Sequence, residues 1–399
     1  MPRPFRRRVL YIPGYDPIPP RRYRELYRRE GAEQAGIAGY RLSFGARADR
    51  SGFGWAVSGD FDGQMAQTEY EVLTWADIVQ GSMGQSIAAT YAQLIRTAWA
   101  YIGSGALYRL AQLRRGPVIA ALYPVVVLLA QLAVSLASGL AVGWGVGALT
   151  GLGWALGLPL ALLICWQGLA LWQRLDGRIF AYYLMHDYAF TAQLGGAYPA
   201  ALETRLAQFR QRIAKVLETD LDEVLVIGHS SGAYLAVSVL ADLIRTAPPS
   251  PNGPRLSLLT LGHVVPMAAF LPRANRLRAD LRELSASHRV TWVDVSAPGD
   301  ACSFGLCDPV AVTAVEPPDR QGPLVLSAAF RRTLSPARRK KLRGRWFRLH
   351  FQYLCAFDQP QNYDYFAITA GPQTLGQRFA GRQHSPGRIA RPVNRWSQT

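Results

Sequence analysis

From residue 116 to residue 173 the chain carries no Asp, Glu, Lys, Arg or His, a run of 58 residues without a charge. One bilayer crossing takes about 20 apolar residues, so the run holds two crossings and a short connection. The expected spans are residues 117–138 and 151–172. Two helices buried in a soluble core would not need so long an uncharged stretch. Arg109, Arg114 and Arg115 precede the run, and Arg174 and Arg178 follow it. Basic residues at both ends put both ends on the cytoplasmic side. The expectation is a two-span hairpin in the cell membrane, with the flanking halves of the chain facing the cytoplasm. Gly143, Gly147 and Gly151 recur every four residues, and Gly153 and Gly157 repeat the interval. That spacing fits close packing of two helices and equally fits a flexible hairpin tip.

The second constraint is residues 222–234, DEVLVIGHSSGAY. Residues 223–227 form a short, near-continuous apolar run, the pattern of a strand covered on both faces, and an amphipathic helix pattern follows. Between them stands Gly228-His229-Ser230-Ser231-Gly232, a G-x-S-x-G sequence. Such a turn from strand to helix is too tight for side chains two residues either side of the serine, which Gly228 and Gly232 provide for. The pentapeptide in this context resembles the nucleophile elbow of the α/β-hydrolase superfamily. The plainer reading is a glycine-rich turn with a structural serine. A second match at residues 84–88 has no strand immediately before it and is set aside.

The resemblance implies a nucleophile, Ser230, followed in chain order by an acid and a histidine. Residues 290–295 read as a strand, and Asp300 lies in the loop beyond its carboxyl end, where the superfamily keeps its acid; Asp294 and Asp308 remain alternatives. Residues 324–330 read as a further strand, after which only His350 and His384 occur. His350, in an aromatic-rich segment, is preferred over His384, in a Gly, Arg and Pro tail, against the alternative of a packing histidine. His229 is expected to point away from the serine, His263 to take a binding-pocket or structural role, and His186 to be structural. The resemblance also implies an oxyanion hole from backbone N–H groups, that of Ser231 and that of Gly14 or Tyr15. These two follow the early strand 9–12; an ordinary Pro-Gly turn is the alternative there.

Helix patterns at 21–38, 85–113, 197–217 and 274–286 alternate with strand patterns at 40–47, 53–60, 68–75 and 256–261, and a Pro-rich break spans 248–254. This predicts an α/β fold with a doubly wound, mostly parallel sheet, α/β-hydrolase-like and interrupted by the transmembrane hairpin. The expected division is a first part of the hydrolase-like domain at 1–115, the hairpin at 116–173, a second part at 174–370 and a basic C-terminal tail at 371–399.

The net charge is +17, from 41 Arg and three Lys against 27 acidic residues. Such a surface suits nucleic acid or an anionic membrane face. No nucleic-acid module accompanies it, so membrane lipids are the expected partner and nucleic acid is not. Nine of the basic residues fall within 331–348, a solvated helix or a grip on anionic headgroups. Cys165, Cys302, Cys307 and Cys355 suggest neither a disulfide framework nor a zinc site, and no metal or other cofactor is implied. The functional expectation is a membrane-anchored serine hydrolase acting on an ester or thioester, a small molecule or a lipid. The alternative is a non-catalytic hydrolase-like scaffold or lipid-binding protein at the cytoplasmic face.

Overall fold

The computed structural model describes residues 3–49, 51–84, 86–246 and 253–399. Gln85 of the second G-x-S-x-G match and residues 248–252 of the Pro-rich break lie outside the described residues.

Eight strands form one sheet: β1 (Phe5–Ile12), β2 (Arg41–Gly45), β3 (Phe53–Phe61), β4 (Gln64–Val72), β5 (Glu223–His229), β6 (Arg255–Leu261), β7 (Val290–Ser296) and β8 (Leu324–Ser327). Their order is β2-β3-β4-β1-β5-β6-β7-β8. The β2–β3 and β3–β4 pairs are antiparallel. All pairs from β4–β1 to β7–β8 are parallel. The sheet is therefore mixed and mostly parallel.

Alternation along the central strands feeds two cores. Leu10, Ile12, Val224, Val226 and Leu258 pack with the helices Ala200–Leu217, Ser231–Thr246 and Asn275–Ala286. Val9, Tyr11, Leu225, Ile227 and Leu259 pack against the helix Arg21–Ala38 and the segment 353–379. Both faces of the sheet are covered, which is why β5 is buried at every position and reads as an unbroken apolar run.

β1 begins four residues before the apolar run 9–12 because its arginines find acids. Arg7 pairs with Glu223 at 2.6 Å with both side chains fully buried, and Arg3 pairs with Asp222 at 2.7 Å. Arg7 of the basic N-terminal sequence is thus used inside the fold, whereas Arg3 forms its pair at the surface. Parts of residues 371–399, the expected basic C-terminal tail, pack on the body. Val393 is buried, Ile389 bridges to Cys307, and the Arg278 Nε–H donates to the Gln398 carbonyl at 2.7 Å.

The turn after β5 leaves no room for side chains. A Cβ on Gly232 would stand 2.1 Å from the Ile12 carbonyl oxygen and 2.6 Å from that of Pro13, and one on Gly228 2.4 Å from the Gly232 oxygen. Backbone on both sides cannot yield cheaply. Gly232→Ala is expected to destabilise the fold by about 4 kcal/mol or more, at the extreme of single substitutions. Gly36→Ala, in open space on an exposed helix face, is expected to be neutral or to stabilise by up to about 1 kcal/mol. Thermal melting of the two variants in detergent checks the contrast.

The uncharged run forms two antiparallel helices, Arg115–Thr150 and Gly153–Arg174, joined at Gly151 with φ 72°. Both are long and apolar enough to cross a membrane, and only 22 % and 17 % of their most apolar windows are buried. Cβ atoms on Gly139, Gly143 and Gly147 would each stand 2.3 Å from a carbonyl oxygen of the facing helix, those of Ala161, Gly157 and Gly153. Gly139, Gly143, Gly147 and Gly157 therefore serve helix packing, while Gly151 and Gly153, at φ 72° and 52° in open space, form the hairpin tip, so both readings above apply, each to its own glycines. The same register sets Ser135 against Gly168, so the first helix runs on past the end of its partner. At 36 residues it is about 54 Å long, well beyond the roughly 30 Å of hydrocarbon. Its early part belongs to the body: Leu128 is buried with Leu94, Tyr182 and Met185, and Gly116 abuts Ala301. The first helix thus continues from the expected span 117–138 on to Thr150, with one face of its early turns packed on the body.

Candidate active site

Three strand ends converge at the carboxyl edge of the sheet, the edge where open α/β sheets bind ligands. β5 delivers Ser230, β1 delivers Gly14 and Tyr15, and β7 leads to Asp300. Ser230 is held at φ 59°, a conformation costing about 1–3 kcal/mol that only surrounding structure can maintain. Its N–H donates to the Leu261 carbonyl at 2.9 Å. Gly14 is pressed against it: a Cβ there would lie 2.9 Å from the Ser230 Cβ and 3.4 Å from its Oγ.

His350 ends the short helix Trp346–His350. Its Nδ1 lies 2.7 Å from Asp300 Oδ2. A carboxylate only accepts, so Nδ1 carries the proton and the neutral ring keeps its lone pair on Nε2. That Nε2 is buried and has no hydrogen-bond partner among the described residues. Ser230 and His350 line the same cavity of about 860 Å³, and no hydrogen bond joins the hydroxyl to Nε2. Catalytic hydrogen bonds commonly close only with substrate present.

Asp300 is fully enclosed. The Cys302 N–H donates to Oδ1 at 2.9 Å and the Tyr353 hydroxyl to Oδ2 at 3.0 Å. Burial pushes its carboxyl up, but the adjacent His350 and the hydrogen bonds outweigh that and hold it below the usual carboxylate range. The other acids are otherwise engaged. Asp294 accepts from Thr260 at 2.6 Å, and Asp308 holds the Val310 and Ala311 amides and pairs with Arg388 at 2.6 Å. His384 accepts from the Val325 N–H at 3.1 Å beside β8. His263 bonds the Cys307 carbonyl at 2.8 Å and His186 bonds Gln93 at 2.9 Å.

His229 packs beside His350: its Nε2–H donates to the His350 carbonyl at 3.0 Å, with ring centroids 4.7 Å apart. Burial pushes it down to about 3, so it is a neutral brace beneath His350. The Tyr15 N–H, an expected oxyanion donor, is taken by the Ser231 hydroxyl at 2.8 Å. The Ser231 N–H stands at the first turn of the helix Ser231–Thr246, where amides lack intrahelical acceptors.

Sequence reasoning missed Tyr353 and Asp187. Tyr353 lies in the aromatic segment that drew attention to His350, but nothing in that segment marks it as the residue that holds Asp300. Asp187, on the helix Ala181–Ala192, lines the cavity with Ser230 and His350. It had a signal: it is the sole Asp, Glu, Lys or Arg between Arg178 and Glu203, a lone acid in an aromatic helix.

Burial pushes Asp187 up to about 7, with His350 pulling the other way. The native state therefore holds a proton that the unfolded chain, with a carboxyl near 3.9, releases. The stability this contributes is full at low pH, falls as pH rises from about 4 to about 7, and is gone above. Asp187→Asn is expected to flatten that decline and to melt above wild type at pH 8.5, with little difference or the reverse at pH 4.

No family model, curated protein or solved structure matches the chain.

Proposed function

We propose that the chain is a membrane-anchored serine hydrolase of the α/β-hydrolase type, cleaving an ester or thioester. The supporting observation is the His350–Asp300 pair at 2.7 Å, with Nε2 unbonded, in the same cavity as a serine held at φ 59°. Ser230 Oγ attacks the acyl carbon while His350 Nε2 takes its proton. Asp300 keeps the ring in that tautomer and stabilises the imidazolium. The Ser231 N–H meets the oxyanion, joined by the Tyr15 N–H once the Ser231 hydroxyl rotates away. Collapse of the tetrahedral intermediate breaks the bond to the alkoxide or thiolate, which leaves with the proton from His350. Water then repeats the sequence on the acyl-serine and restores the hydroxyl.

The apolar hairpin crosses the cell membrane in this reading, with its basic flanks placing the body on the cytoplasmic side. Membranes containing the chain should hydrolyse chromogenic acyl esters or thioesters above membranes lacking it. A folded, membrane-bound protein inert toward both classes would instead favour a non-catalytic scaffold.

A further inference from the structure

The cavity that holds Ser230 is not walled by the hydrolase-like body alone. Pro117, Ala120 and Tyr123, from the root of the first apolar helix, form part of its lining. The Tyr123 hydroxyl donates to the Ile179 carbonyl at 2.8 Å, and its ring meets that of Trp346 at 6.0 Å. Phe347, from the same short helix as His350, packs on Phe180 with centroids 5.0 Å apart. One end of the cavity therefore reaches Ser230, and the other ends in aromatic rings where the hairpin leaves the body. Trp and Tyr favour that depth in a bilayer.

Three arginines stand around this end. Arg178, Arg345 and Arg348 line the cavity, are exposed, and have no carboxylate partner among the described residues. By contrast, Arg338 in the same basic stretch is paired with Glu33 at 2.5 Å. The unpaired three come from two segments, one following the second apolar helix and one carrying His350.

A third feature fixes the level of the membrane surface. On the helix Ile87–Gly103, Tyr91 bonds the Leu128 carbonyl of the first apolar helix at 2.9 Å. Ile95, Trp99 and Ile102 share its face at helical spacing and are 67 %, 77 % and 63 % exposed. An apolar face tied to the root of the hairpin continues its lipid-facing surface along the body. In a membrane, that face and the hairpin root would set the body on the leaflet, on the side where Tyr123 of the same root lines the cavity.

We infer that the site takes its substrate from the adjoining leaflet, and that the substrate is an acyl ester with an anionic headgroup. The acyl chain enters along the apolar wall toward Ser230, while Arg178, Arg345 and Arg348 hold the charge at the rim. This rests on the hydrolase reading and adds to it the substrate class and the direction of entry. The volume of about 860 Å³ lies within the usual range for ligand pockets, about 300–1,000 Å³, and suits one chain better than two.

The test compares the protein in vesicles on three substrates: lysophosphatidylglycerol, lysophosphatidylcholine and a short-chain, water-soluble ester of glycerophosphoglycerol. Fluorophosphonate capture by the same preparation reports separately whether Ser230 is reactive. The expected result is a kcat/KM on the anionic lysolipid at least about tenfold above the zwitterionic one, and above the soluble ester. High salt should reduce the anionic preference. Replacing the three arginines by Gln should bring the ratio close to one, and replacing them by Lys should largely keep it. Equal rates on the two lysolipids with capture intact would overturn the anionic selectivity and leave the hydrolase reading standing. A faster reaction with the soluble ester would overturn entry from the leaflet. Absence of capture in the folded wild type would remove the hydrolase reading and this inference with it.

Discussion

Ser230→Ala and His350→Ala are each expected to lower the kcat of ester hydrolysis by about 10⁶, and the double variant is expected to be no worse than either single one. The reason lies in the geometry. Without the hydroxyl no acyl-serine forms, and without the ring the hydroxyl keeps its proton, since no other unpartnered imidazole reaches it. His229 is no substitute: burial holds it down at about 3 and its Nε2–H is committed to the His350 carbonyl. Any residual rate would come from binding and the oxyanion donors. Steady-state turnover of purified variants in detergent checks this. Losses that multiply in the double variant would show that the two residues act separately.

Asp300→Asn is expected to cost about 10⁴ in kcat while the protein still folds. The Cys302 N–H donates to Oδ1; Tyr353 and His350 both donate to Oδ2. An asparagine must put its NH₂ at one of those positions. Facing Cys302, it sets two buried donors against each other, at a cost of about 1–3 kcal/mol. Facing His350, it drives the ring to the opposite tautomer, with Nε2 protonated and unable to act as a base. Tyr353→Phe removes one donor and leaves the tautomer intact, so its loss should be far smaller. Comparing kcat for the two variants separates tautomer control from simple packing.

Much of this arrangement was legible in the chain. Given the order that the resemblance implies, Ser230, Asp300 and His350 follow from strand patterns and the loops after them, because an α/β sheet collects residues distant in sequence at one edge. The β5 elbow was legible because backbone crowding at Gly232 leaves no residue but glycine. Tyr353 and the brace from His229 were not, since each acts through a side-chain contact spanning many residues with no local pattern, and Asp187 stood out only as a lone acid whose place beside the serine depends on the fold. The packing of the first helix's early turns on the body was not legible for a different reason: an apolar segment reads the same whether it meets solvent, lipid or the protein body. The acidic partners of the arginine-rich start, Asp222 and Glu223, carry no signal in the sequence because they lie more than 200 residues away.

The most direct test of the central claim is to treat membranes containing the chain with a fluorophosphonate probe and map the modified peptide by mass spectrometry. The account predicts phosphonylation at Ser230, lost in Ser230→Ala and strongly slowed in His350→Ala and Asp300→Asn. Labelling at another residue, or a folded wild type that stays unmodified while a known serine esterase in the same membranes reacts, would contradict it.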